Sequence, residues 1–175
     1  MATHQNATVT GKEIEWSGTI VSETDLTGKI TYANDVFQHV AQYSEGELMG
    51  AAHSIVRHPD MPRCVFKLLW DTLGAGKSIS AYVLNRAKNG DGYWVLAHVD
   101  PKKDASGAIV GYRSERTVPK KDVVENVIKP LYKSLLDEEK RVGGNDGMEA
   151  SFNMVLNLLK EKGVSYDQLI ASLAG

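Results

Sequence analysis

Apolar positions along this chain follow two periods, and the switches between them mark its elements. Residues 19–24 (TIVSET) are rich in β-branched types and read as a strand. Asp25-Leu26-Thr27-Gly28 is a turn and 29–33 a second strand, which together make a hairpin. Helical spacing then runs to Gln42, with Val36, Phe37, Val40 and Ala41 inward and Asn34 or Asp35 able to cap. Ser44-Glu45-Gly46-Glu47 has capping-box form, and Gly50 is a stop. Met61, Val65, Leu68, Leu69 and Leu73 predict a helix over about 61–73, ended by Gly74 and Gly76. Three long strands follow, about 78–87, 92–100 and 108–117, joined by the turns Lys88–Asp91 and Asp104–Gly107. After Pro119 only helical spacing remains. Residues 121–140 read as helix with Pro130 as a kink or restart, and Gly143–Gly147 as a flexible break. A helix stopped at Gly163 carries Phe152, Val155, Leu156 and Leu159; Ser165-Tyr166-Asp167-Gln168 caps a last one. Residues 1–18 are largely polar, with Ile14 and Trp16 as the only large apolar groups, and read as an arm or short N-terminal helix.

Strand parity sorts these residues by face. Ile79, Ala81, Val83 and Asn85 share one face with Tyr93, Val95, Ala97 and Val99. If the aliphatic face looks inward, Asn85 and Tyr93 are polar groups aimed into the core, where each needs a backbone partner or a polar cofactor edge. The opposite face carries Tyr82, Leu84, Trp94 and Leu96, too apolar to meet water as a block. Its expected cover is the N-terminal arm or a second subunit, with His98 at that cover.

Composition narrows the classes. The 175 residues are 42% hydrophobic and 24% charged, enough for one globular domain with a short extension. Twenty basic against 22 acidic residues leave a formal charge of -2, which disfavours non-specific nucleic-acid binding. A lone cysteine, Cys64, excludes an internal disulfide and reads as a buried filler. The five histidines lack metal-ligand spacing, so no metal site is expected. No run of apolar residues is long enough to span a membrane, and the start is no secretory signal, so the expected location is the cytoplasm. No G-x-S-x-G, P-loop or Rossmann pattern is present, and no enzyme activity is expected.

Three strings are more specific. Asp25–Asn34 (DLTGKITYAN), Val56–Pro62 (VRHPDMP) followed by Trp70, and Asn85–Val95 (NRAKNGDGYWV) resemble the flavin-binding PAS sensors of bacterial energy taxis. These are the Aer type and, with the string Lys129–Lys133 (KPLYK), most nearly the soluble CetB type. The resemblance implies an α+β PAS fold: a five-stranded antiparallel sheet with short helices on one face, then a helical C-terminal extension. It implies an arm or cap helix over 1–18, a sensor over 19–118 and the extension over 119–175. It further implies non-covalent FAD, with Arg57, His58 and Asp60 needed to retain it. Asn34, Trp70, Asn85 and Tyr93 match other pocket positions. An inward amide suits the N3–H and O4 edge of a flavin, and Arg57 its pyrophosphate. The Aer type has a Trp before its central strand; here Ile79 stands there, which leaves room for FMN, haem on His53 or His58, or another ligand.

Without the resemblance, Asp60 reads as a cap on the helix starting at Met61, Arg57 as a solvated charge and Trp70 as core. The function implied is a cytoplasmic redox sensor that signals by contact to a separate membrane-bound methyl-accepting chemotaxis transducer. That partner could recruit it to the inner membrane, and a homodimer through the outer sheet face or the arm is expected. The alternatives are a haem-binding gas or redox sensor and a ligand-free dimerisation adaptor.

Overall fold

The computed structural model describes residues 8–175. Five strands, β1 (Ile20–Asp25), β2 (Ile30–Ala33), β3 (Ile79–Arg86), β4 (Gly92–Lys103) and β5 (Ile109–Thr117), form one antiparallel sheet in the order β2-β1-β5-β4-β3. This is the expected five-stranded sheet. The connection after β2 carries α1 (Asp35–Ala41), α2 (Glu45–Leu48), a 3-10 turn (His53–Val56) and α3 (Arg63–Gly74), which lie over one face. Ser44 and Glu47 close the capping box that opens α2.

Register confirms the parity argument. Ile79 pairs with Val99, Ala81 with Ala97, Val83 with Val95 and Asn85 with Tyr93, all on the inner face. The apolar block on the outer face is covered from within the chain. Trp94 packs against Tyr132, whose hydroxyl donates to the carbonyl of Tyr82, and Val124, Ile128 and Ile170 join the same core. Trp16 Nε1 adds a bond to the Trp94 carbonyl (2.9 Å). The cover is therefore the C-terminal helices and the arm, where a second subunit was an alternative. Residues 8–18 form no helix; they run alongside β4, with Ile14 N–H bonded to the Gly92 carbonyl (2.7 Å). Residues 1–7 of the expected arm lie outside the described residues. His98 is on the outer face but exposed, bonded to Ser80 and Asp100.

The C-terminal region is α4 (Lys121–Val123), a wide π-type turn (Val124–Ile128), α5 (Lys129–Val142), α6 (Gly144–Lys162) and α7 (Tyr166–Ala174). Pro130 has no N–H to give an ordinary helical bond, and the wide turn falls just before it, with Lys129 N–H reaching Val124 O. Gly144–Gly147 is not a break. These residues are the first turn of α6, and a Cβ on Gly147 would stand 2.5 Å from the carbonyl oxygen of Glu139. The glycine lets α5 and α6 approach backbone to backbone.

Candidate functional site

A cavity of about 280 Å³ lies between the inner sheet face, the 3-10 turn and α3. Val83, Asn85, Ala97, Val99, Ser114 and Arg116 form its sheet wall, and Phe66, Leu69, Trp70 and Leu73 its helical wall. Its size is near the lower end of small-molecule sites, roughly 300–1,000 Å³. Val56 and Arg57 continue the lining from the 3-10 turn. Arg57 pairs through its main chain with Asn85 on the free edge of β3, and its guanidinium stacks 4.5 Å from the centre of the Phe66 ring. Trp70 is 44% exposed, so it is not core; it meets Tyr112 edge-on at 5.3 Å, and both rings line the cavity.

Three of the expected site residues, Arg57, Trp70 and Asn85, thus line one cavity. Of the other four, Tyr93 stands behind the sheet wall, and Asn34, His58 and Asp60 are not among the lining residues. Tyr93 is fully buried as the cross-strand neighbour of Asn85, and its hydroxyl has no hydrogen-bond partner. Burial holds that phenol well above its usual pKa. Asn34 is fully engaged: Oδ1 accepts from the N–H groups of Val21 (3.1 Å) and Phe37 (3.0 Å), and Nδ2 donates to Thr19 O (2.9 Å). It caps α1 and clamps it to β1. His58 is buried, and its Nδ1 accepts from Asp60 N–H (3.0 Å), which places the proton of the neutral ring on Nε2. Desolvation lowers its pKa. The Asp60 carboxylate is exposed and does not cap α3. That cap comes from a distance: both carboxylate oxygens of buried Glu139 accept from Arg63 N–H, at 2.6 and 3.1 Å.

The strongest feature was not among the expected residues. Arg116 is 2% exposed. Its Nη2 donates to Ser22 Oγ and its Nη1 to His53 Nε2 (3.2 Å), while Nε has no partner. Burial lowers it to about 10, so it remains charged at neutral pH. His53 is driven down to about 3, by burial first and then by the Arg116 charge. Ser22 Oγ also lies 3.2 Å from His53 Nε2. Thr24, another lining residue, has an unpartnered buried hydroxyl. Parity on β5 could have found Arg116: it pairs with inward Ala97, two and four residues beyond the lining residues Ser114 and Tyr112. Ile79 packs with Leu73 and Val99 beside the cavity and is not part of its lining. Cys64 is buried, with its thiol pushed up to about 11, in line with a filler.

This architecture, helices over one face of a five-stranded antiparallel sheet around a single-sided cavity, agrees with the family comparison: residues 30–116 match the PAS fold. The chain carries a PAS domain. Over 135 residues, 77% of this chain, it is 42% identical to the aerotaxis receptor of Escherichia coli (strain K12). Those residues make up 26% of the receptor, so the chain spans about a quarter of that relative. The PAS domain is also similar to the nitrogen fixation regulatory protein of Klebsiella pneumoniae, at 26% identity over 57% of this chain and 20% of the relative. Among solved structures, the light state of the blue-light photoreceptor Aureochrome1 LOV has the same fold. It superposes with a TM-score of 0.57 at 24% identity, over 63% of this chain and 89% of that one. Another neighbour, with a TM-score of 0.56 at 21% identity over 67% of this chain and 88% of that one, is a light-oxygen-voltage domain studied through a flavin analogue. This chain's PAS domain is related to the aerotaxis receptor.

Proposed function

We propose that this PAS domain binds FAD non-covalently in the described cavity and senses redox state. The observation that carries the reading is a set of buried polar atoms without partners at one cavity. Thr24 Oγ1 and Arg116 Nε belong to lining residues, and Tyr93 Oη sits opposite Asn85. Leaving such groups unpaired costs about 1–3 kcal/mol each, so a ligand with a hydrogen-bonding edge and an apolar body suits the site. Asn85, backed by Tyr93, would take the polar edge of the ring, Trp70 and Phe66 would cover it, and Arg57 would hold the phosphates. Asn34, His58 and Asp60, outside the lining, would act by holding α1 and the segment that carries Arg57. When bound, a flavin supplies reversible two-electron chemistry.

Haem is less well served. The Nε2 of His53 faces the Arg116 guanidinium and Ser22, a poor setting for a metal ligand, and the Nδ1 of His58 is committed to a backbone N–H.

Output would be by protein contact. Helix α3 forms a cavity wall and is capped by Glu139 of α5, so a repacking around Trp70 and Phe66 has a direct route to the C-terminal helices. The partner in this reading is a membrane-bound methyl-accepting chemotaxis transducer, and the site of action is the cytoplasm or the inner membrane to which that partner recruits it. No helix among the described residues is long and apolar enough to cross a membrane. The test is the absorption spectrum of the purified or FAD-reconstituted protein. Oxidised-flavin bands that disappear in Asn85→Ala and Arg57→Ala, while circular dichroism is unchanged, support the reading. A Soret band, or a folded protein that takes up no flavin, overturns it.

A further inference from the structure

The cavity contains a charge that no carboxylate among the described residues answers. None of its lining residues is Asp or Glu, whereas Arg57 and Arg116 are both cations. They lie at different depths: Arg57 is exposed at the mouth, and Arg116 is buried. Every contact of the Arg116 guanidinium is with a neutral group. Ser22 offers a hydroxyl, His53 a neutral imidazole, and Phe37 a ring face at 4.6 Å. Among the described residues Arg63, Arg113 and Arg141 each have a carboxylate within 4.0 Å, and Arg116 has none. A desolvated cation without a counter-ion is one of the least favourable arrangements in a folded protein. It becomes favourable once a ligand brings negative charge to it.

We propose that Arg116 is the charge-complementing residue of the cavity: it pairs with the edge of the bound flavin ring that becomes negative on reduction, and thereby raises the midpoint potential. The proposal rests on the flavin reading. Two cations at two depths suit a ligand with phosphates at the mouth and a ring within. Two electrons and one proton from an external reductant leave the ring with one negative charge, and a fixed guanidinium stabilises that form over the doubly protonated one. His53 and Ser22 are positioning residues. They hold Nη1 and Nη2 by accepting hydrogen bonds, which orients the guanidinium without neutralising it.

The test is spectroelectrochemical titration of the FAD-loaded protein, with dithionite as an independent reductant. For wild type at mildly acidic pH, where free reduced flavin is doubly protonated, the potential should move about 30 mV per pH unit, as for one proton per two electrons. In Arg116→Gln the preference for the reduced form should fall at least tenfold, a potential lower by about 30 mV or more, and Arg116→Lys should restore most of it. A wild-type slope of about 59 mV per pH unit, or an unchanged potential in Arg116→Gln that still binds flavin, overturns the assignment. If Arg116→Gln releases its flavin, the wild-type slope decides alone. Failure of the wild-type protein to bind flavin is a separate result, which overturns the cofactor reading and this proposal with it.

Discussion

Replacing Glu139 by alanine should destabilise the protein far more than replacing its visible ion-pair partner. Glu139 is 5% exposed, and its carboxylate takes the first free N–H of α3, that of Arg63, through both oxygens. Pro62, at the cap position, has no side chain able to do this. Truncation removes a charge-assisted bond, about 1.5–3 kcal/mol, and leaves a part-buried N–H unpaired. A loss of about 3 kcal/mol follows, or about 6–12 °C in Tm for a chain of this size. Arg63→Ala keeps the capped N–H and loses an ion pair at 3.5 Å whose guanidinium is half exposed, together with a bond to Gly144 O. With the guanidinium half exposed and the Glu139 carboxylate still bonded to the backbone N–H, that costs about 1 kcal/mol. Urea titration monitored by tryptophan fluorescence measures both variants. Equal losses would refute the cap and assign the interaction to the side-chain ion pair.

Other outcomes follow from the same packing. Gly147→Ala should destabilise by about 1–3 kcal/mol in thermal melts because its Cβ would meet Glu139 O at 2.5 Å, although helix propensity alone favours alanine by about 1 kcal/mol. A gain in Tm would show that α5 and α6 can separate freely. Asn34→Ala removes the cap bond from Phe37 N–H and the two bonds that tie α1 to Thr19 and Val21, and chemical denaturation should show a loss of about 2–3 kcal/mol. His53 is neutral in the fold with its pKa lowered to about 3, whereas the unfolded chain protonates near 6.5. Its contribution is therefore complete above the unfolded value and is lost as pH falls from there towards 3. The slope is up to about 1.4 kcal/mol per pH unit. His58, also lowered, adds in the same sense. Denaturation midpoints between pH 7 and pH 4 should show a shallower slope in His53→Gln than in wild type; identical slopes would remove His53 from the account.

The inner wall of the cavity was legible because a strand's alternation is geometric: once β3 and β4 were placed, Asn85 and Tyr93 had to share a face. Arg57 and Trp70 were expected at the site through the resemblance; Arg57 is exposed, as a solvated charge would be, but stacks on Phe66 at the cavity, and Trp70 is not core. Arg116 obeys the same alternation as Asn85, on β5. Its importance lies in the carboxylates that are missing around it, which is a property of packed neighbours. Glu139 and Gly147 were illegible for a related reason. A cap from 76 residues away, and a glycine needed for a close helix crossing, leave no local pattern.

By itself the sequence determined the order of the elements, the faces of the central strands, both capping boxes and the irregularity before Pro130. These depend on backbone periodicity and on bonds within a few residues, which the chain specifies wherever it folds. Only the tertiary structure decided that the outer sheet face is closed by the chain's own C-terminal helices, that α3 is capped from α5, and that a lone guanidinium sits in the cavity wall. Each of these is set by which side chains come to share a small, water-poor volume. There, desolvation and the identity of the neighbour fix charge and pairing, and sequence distance does not measure either.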